Sequence, residues 1–159
     1  MPDRSEEGAR LAFEMTLDST PAEVRRAVDR AQRALGRFGW CEEPRRAAEL
    51  VLAEALNNIV EHAYGESPEG RIHVALTATA VQADLVVCDC GGAMPDGRLP
   101  PGEPVDLEMG LHDLPEGGFG WYLIRRLADR LVYRRCGGHN RLEIRIRNAV
   151  ARGSADDPA

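Results

Sequence analysis

The 159-residue chain contains no lysine; all 20 of its basic side chains are arginine. This absence excludes chemistry before any pattern is sought. A P-loop needs a lysine on the β and γ phosphates, Schiff-base catalysis needs a lysine amine, and eukaryotic-type protein kinases need a strand lysine on the phosphates. A GC-rich genome produces such a bias, and the exclusions hold whatever its cause. Cysteine is also scarce. Cys41, Cys88, Cys90 and Cys136 include one C-x-C but no C-x-x-C pair, and the four histidines are scattered singly, which argues against a zinc site and for reduced, mostly buried thiols. No stretch approaches the roughly 20 apolar residues of a membrane span. The polar N-terminus lacks the apolar region of a signal peptide. The expectation is a cytoplasmic protein without membrane association.

Length favours a single domain. With 43% hydrophobic and 29% charged residues, the chain can bury one core. Its net charge of −6 conceals an asymmetry: residues 1–116 carry 11 arginines against 22 acidic side chains, whereas 117–147 carry eight arginines against Asp129 and Glu143. The acidic bulk argues against direct nucleic-acid binding. The basic segment is either a face for an anionic ligand or partner, or a solvated helix and strand face.

Leu11, Phe13, Met15 and Leu17 alternate with Ala12, Glu14, Thr16 and Asp18, the period of a half-buried strand. Ser19, Thr20 and Pro21 then start a helix, with Glu23 placed for a capping box, running to about residue 38. A second, longer helix is predicted over 43–64, where Leu52, Leu56, Ile59 and Ala63 recur at core spacing and Gly65 follows as a C-cap. Residues 71–79 and 84–89 read as an antiparallel pair of strands. From 90 to 118 no period survives and five of the ten prolines accumulate. A loop of that length in a compact domain is functional or disordered. A third helix over about 118–130 follows, then strands over 131–135 and 141–148 joined by a turn at 136–140. A flexible stretch at 1–9 and a small, polar tail at 149–159 flank the domain at 10–148. This order implies an α/β two-layer sandwich, with helices on one face of a mixed, largely antiparallel sheet.

Three stretches could carry chemistry. In 54–64 (EALNNIVEHAY), Glu54, Asn58 and Glu61 lie at i, i+4 and i+7, one polar stripe around the helix from the apolar face; alone, such a stripe is a solvated face. In 85–93 (LVVCDCGGA), Asp89 ends an apolar strand before glycines, which either points a carboxylate at a ligand or makes an ordinary Asp-x-Gly turn. In 116–124 (EGGFGWYLI), glycines open a helix, where free N–H groups and the helix dipole favour phosphate.

Together and in this order, the three resemble the N, G1 and G2 boxes of the GHKL (Bergerat-fold) ATPase superfamily, and within it the anti-sigma factor serine/threonine kinases of partner-switching modules. Residues 54–64 resemble that branch's E-x-x-x-N-x-x-x-H-A-Y helix, Asp89 and Gly91 its D-x-G motif, and 116–129 (EGGFGWYLIRRLAD) its E-G-G-x-G-x-x-L-I-x-x-L-x-D segment. The likeness covers roughly 10–148. It implies ATP and Mg²⁺ as cofactors, with Asn58 offering an amide oxygen to Mg²⁺ and Glu54 as the base for an incoming serine or threonine hydroxyl. It further implies that Asp89 accepts a hydrogen bond from the adenine amino group while Gly91 lets the base approach, and that Ala93 and Met94 border the nucleotide where an ATP lid over 94–117 begins. Gly118, Phe119 and Gly120 would frame the triphosphate. Asn57 and His62 would support these positions.

Two departures qualify the likeness. Ala93 stands where many relatives have the second glycine of D-x-G-x-G, which narrows the adenine pocket. Glu116 and Gly117 stand where some relatives carry an arginine that meets the γ-phosphate. Charge neutralisation then falls to Mg²⁺, to backbone N–H groups, or to another arginine such as Arg98, Arg125 or Arg126. The implied function is a protein-serine/threonine kinase and anti-sigma factor, homodimeric, with a small anti-sigma factor antagonist as substrate and a sigma factor as partner. The alternative is a nucleotide-binding regulatory module that sequesters a partner without phosphoryl transfer.

Overall fold

The computed structural model describes residues 8–102 and 119–148. Its elements run β1 (Arg10–Asp18), α1 (Pro21–Arg37), α2 (Glu42–Asn58), β2 (Arg71–Ala78), β3 (Gln82–Asp89), α3 (Phe119–Leu127), β4 (Arg130–Cys136) and β5 (His139–Arg147). The five strands form one sheet in the order β1-β2-β3-β5-β4, and every neighbouring pair is antiparallel. The anticipated mixed sheet is thus antiparallel throughout. The crossover through α3 joins two strands of the same direction, β3 and β4, and the β4–β5 hairpin inserts β5 between them. That insertion places the end of β3 directly beside the start of β5.

Alternation decides which face is buried. Phe13, Met15 and Leu17 of β1, Ile72, Val74 and Leu76 of β2, Leu85 and Val87 of β3, and Leu142, Ile144 and Ile146 of β5 face the helices. Leu11, expected on that face, is 58% exposed, because the β1–β2 register shifts between Leu11 and Phe13 and the bulge ends the alternation. The same alternation overturns the expectation of mostly buried thiols. Cys88 and Cys90 fall on the open face, opposite Val87 and Asp89, and Cys41, Cys90 and Cys136 are exposed.

α1 starts as its sequence dictates. Thr20 Oγ1 accepts from Glu23 N at 3.3 Å and proline occupies the first turn. Only half of the capping box forms, since the Glu23 carboxylate turns to Arg26 at 3.4 Å. α2 buries Val51, Leu52, Ala55 and Leu56 at 0–1% exposure, so truncating Leu56 to alanine costs about 2–5 kcal/mol. The helix expected to continue unchanged to residue 64 instead widens into a π turn at Ile59–Ala63, where Tyr64 N donates to Ile59 O at 3.0 Å. Gly65, at φ +55°, ends it.

α3 ends at Leu127, before the expected limit near 130, because Asp129 N already donates to Arg145 O at 2.8 Å and β4 begins at Arg130. The expected five-residue turn at 136–140 is only Gly137-Gly138, at φ +56° and +79°. Two successive left-handed residues match the twist of a tight hairpin, so His139 and Asn140 belong to β5. The basic segment lies largely on the open face. There Arg145 pairs with Asp84 and Arg141 with Glu143, each at 2.8 Å, and Arg147 pairs with Asp129 at 2.6 Å. Exposed pairs of this kind contribute roughly 0–1 kcal/mol each.

Among the described residues no helix is long and apolar enough to cross a membrane. The expected flexible stretch at 1–9 lies outside the described residues up to residue 7, as does the tail at 149–159.

Candidate functional site

The end of α2, the end of β3 with the loop after it, α3 and the β4–β5 hairpin enclose a cavity of about 300 Å³. Small-molecule sites span about 300–1,000 Å³ and combine apolar walls with a few converging polar groups. Here Ile59, Met94, Trp121 and Leu142 form apolar wall, and Asn58, Asp89 and Asn140 supply polar groups.

Glu54 and Asn58 lie one helical turn apart on α2. Asn58 Nδ2 donates to Glu54 O at 2.9 Å, which fixes the amide and leaves Oδ1 without a partner among the described residues. Glu54 is half-buried. Loss of solvent pushes its carboxyl above the usual carboxylate range, and the charge of Glu61 adds to the rise. Gly120, at the start of α3, sits directly against this pair: a Cβ there would collide with Glu54 Oε2 and come within 3.6 Å of Asn58 Nδ2. The glycine therefore brings the start of α3 onto the polar stripe of α2. Glu61, third in the stripe, is exposed. His62 is exposed at the cavity mouth, with Nε2 3.8 Å from Glu61 Oε2.

Asp89 is 6% exposed at the end of β3. Its Oδ1 accepts from Gly91 N and from Asn140 Nδ2, both at 2.8 Å, leaving Oδ2 free among the described residues. The turn reading of Asp-x-Gly is thus met by one oxygen, while the other has no partner among the described residues. Gly91 answers a need of the protein itself. A Cβ at 91 would lie 2.7 Å from both Ala63 Cβ and Ala63 O, so the close approach that requires glycine is to the last turn of the helix. Gly92 N donates to Ala63 O at 2.8 Å, satisfying one of the carbonyls that a helix end leaves unpaired. Tyr64 is a strut: its hydroxyl donates to Arg71 O at 2.7 Å and accepts from Cys90 N at 2.9 Å, tying the start of β2 to the end of β3.

Ala93 and Met94 line the cavity, and Met94 N donates to the Tyr133 hydroxyl at 3.1 Å. Arg125 donates from Nε to Pro100 O at 2.8 Å and from Nη2 to Leu99 O at 3.4 Å, which commits it to bracing this loop. Arg98 and Arg126 are exposed. Gly118 and the Phe119 side chain lie outside the described residues, as does the expected lid from 103 to 117. Asn57, expected to support the site, lies instead in a groove against α1 with Val24, Val28 and Ala53; one residue along a helix turns a side chain by about 100°.

Sequence reasoning missed Trp121, Tyr133, Arg135 and Asn140. For Asn140 a signal existed: it continues the inward alternation of Leu142, Ile144 and Ile146. Placing it in the turn hid it. Its partnership with Asp89 follows from the β3–β5 register, which no local pattern reveals.

The model of the family described as Histidine kinase-like ATPase domain matches residues 17–147. The serine/threonine-protein kinase BtrW of Bordetella bronchiseptica is 34% identical over 111 residues, which cover 69% of this chain and 75% of that protein. The serine-protein kinase RsbW of Oceanobacillus iheyensis is 28% identical over 124 residues, 74% of this chain and 75% of that one. Among solved structures, the RsbU and RsbW domains of Rv1364c from Mycobacterium tuberculosis match with a TM-score of 0.56 at 16% identity, over 85% of this chain and 31% of that one. The histidine kinase domain of the blue-light activated kinase EL346 from Erythrobacter litoralis matches with a TM-score of 0.50 at 19% identity, over 86% and 65%. At these identities the solved structures support the fold alone.

Proposed function

Because the chain belongs to the histidine kinase-like ATPase domain family, we propose that it is an ATP- and Mg²⁺-dependent protein-serine/threonine kinase of a partner-switching module. Its substrate in this reading is a small anti-sigma factor antagonist, its second partner is a sigma factor, and it works as a homodimer. The names of the similar kinases from Bordetella and Oceanobacillus support the enzyme class. The observation that carries the reading is the packing of Gly120 against Glu54 and Asn58, beside a cavity that Asn58 and Asp89 both line.

Each chemical role falls to a residue suited to it. Asp89, an acceptor-only carboxylate with Oδ2 free, takes a hydrogen bond from the adenine amino group. Asn58, whose amide nitrogen is anchored on the backbone, presents Oδ1, an oxygen ligand that fits a hard divalent ion. The ion, when bound, neutralises charge on the transferring phosphoryl group. Glu54 accepts the proton of the substrate hydroxyl as that oxygen attacks the γ-phosphorus; the bond to the β–γ bridging oxygen breaks and ADP leaves. A carboxyl made more basic by burial is better matched to that proton than an ordinary one.

The test is transfer of labelled phosphate from ATP to a small anti-sigma factor antagonist domain. Transfer to a serine or threonine supports the reading. Tight ATP binding with no transfer to any antagonist domain establishes the sequestration module in its place.

A further inference from the structure

We propose that Asn140 is the positioning residue for nucleobase selection: it holds Asp89 and the loop after it in place and offers the ligand no hydrogen bond of its own. The inference rests on the nucleotide-site reading above. Asp89 and Asn140 are paired neighbours on β3 and β5, their side chains on the buried face, at 6% and 5% exposure.

A primary amide has two N–H donors and one oxygen with two lone pairs, and in Asn140 all four are engaged. Nδ2 donates to Asp89 Oδ1 at 2.8 Å and to Gly92 O at 2.9 Å, with Gly91 O a further contact at 3.3 Å. Oδ1 accepts from the Tyr133 hydroxyl at 2.6 Å and from Arg135 Nη1 at 2.7 Å. The orientation is unambiguous, since a guanidinium only donates and a carboxylate only accepts, so a flipped amide would face donor with donor and acceptor with acceptor. Nothing of Asn140 is left for a ligand.

What Asn140 controls is Asp89. With Oδ1 held by two donors, the carboxylate is held in place and Oδ2 is the oxygen left to accept from a ligand. A purine carrying an amino group at position 6 satisfies it, whereas a purine lacking that group leaves a buried oxygen unpaired, which is costly. The brace extends further. Tyr133 also accepts from Met94 N at 3.1 Å, and Arg135 Nη1 also donates to Gly91 O at 2.9 Å. The edge strand β4 thereby holds Asn140 and both ends of the 91–94 loop at once.

The test compares the dissociation constants of ATP and of purine riboside 5′-triphosphate, which lacks the 6-amino group, for the full chain and for Asn140→Ala and Tyr133→Phe, with a melting curve for each. Wild type should prefer ATP by about tenfold or more. Asn140→Ala should reduce that preference at least about threefold while affinity for the analogue changes less than about twofold. Tyr133→Phe, which removes one hydroxyl and retains the ring, should shift the preference the same way by a smaller factor, and it decides the matter if Asn140→Ala does not fold. Equal loss of affinity for both nucleotides, with the ratio unchanged in a folded variant, overturns the positioning role and leaves the nucleotide site standing. Wild type that binds both nucleotides alike overturns this inference and leaves the nucleotide site standing, whereas wild type that binds neither overturns the nucleotide-site reading and this inference with it.

Discussion

Gly120 of α3 lies against Glu54 of α2 so closely that a Cβ at position 120 would overlap the carboxylate. The start of α3 is thus placed within contact of a basic carboxylate and an oriented amide, although the two segments are far apart in the chain.

Gly120→Ala should displace Glu54 and lower kcat/KM for phosphoryl transfer by about tenfold or more, since small misplacements at a reacting centre have large rate effects. Overpacking of this kind costs about 1–3 kcal/mol. Steady-state kinetics and a melting curve on the same preparation separate the two effects. A fully active, equally stable variant would show that the contact constrains nothing.

Burial and Glu61 both raise the Glu54 pKa, so the acid limb of the kcat profile should lie above the ordinary carboxylate range, the base being ionised only above its own pKa. Glu61→Gln should move that limb to lower pH. The linkage sign follows from the same shift. A carboxyl whose folded pKa is raised contributes stability below its unfolded value and loses it as pH rises through the folded one. Glu54→Gln should therefore gain in melting temperature relative to wild type as pH is raised from 4 to 8; a gap that narrows contradicts the assigned shift.

Gly91→Ala should destabilise the fold by about 1–3 kcal/mol, because its Cβ meets Ala63 Cβ and Ala63 O at 2.7 Å. Thermal unfolding reads this without any nucleotide. If the glycine served only the approach of a ligand, the unliganded melting temperature would not change.

Asn58→Ala should abolish the gain in ATP affinity that Mg²⁺ confers, by removing the oriented Oδ1. Calorimetric titration with Mg²⁺ and with a chelator should differ for wild type and coincide for the variant. A Mg²⁺ effect that persists in full assigns the ion to other ligands.

Much of this arrangement is legible where the deciding physics is local. The Thr20 cap, the alternation of Phe13, Met15 and Leu17, and the spacing of Glu54 and Asn58 on one helix need no partner to be read. What escaped depends on distant contacts or on backbone choices that periodicity does not encode. The π turn keeps Ile59 and Ala63 apolar and in sequence, so its pattern is that of an ordinary helix. Two glycines allow a two-residue hairpin as readily as a longer turn, and that choice decided whether Asn140 was a loop residue or the neighbour of Asp89. Gly91 was readable as a glycine with a purpose, but its reason, the helix end at Ala63, is a contact between segments.

The most direct test of the central claim compares wild type with Glu54→Gln for both ATP binding and phosphate transfer to the antagonist. The account predicts that the variant binds ATP within about twofold of wild type while transfer falls about 10²–10⁴-fold, the usual contribution of a general base. Transfer at near wild-type rate by Glu54→Gln would contradict it.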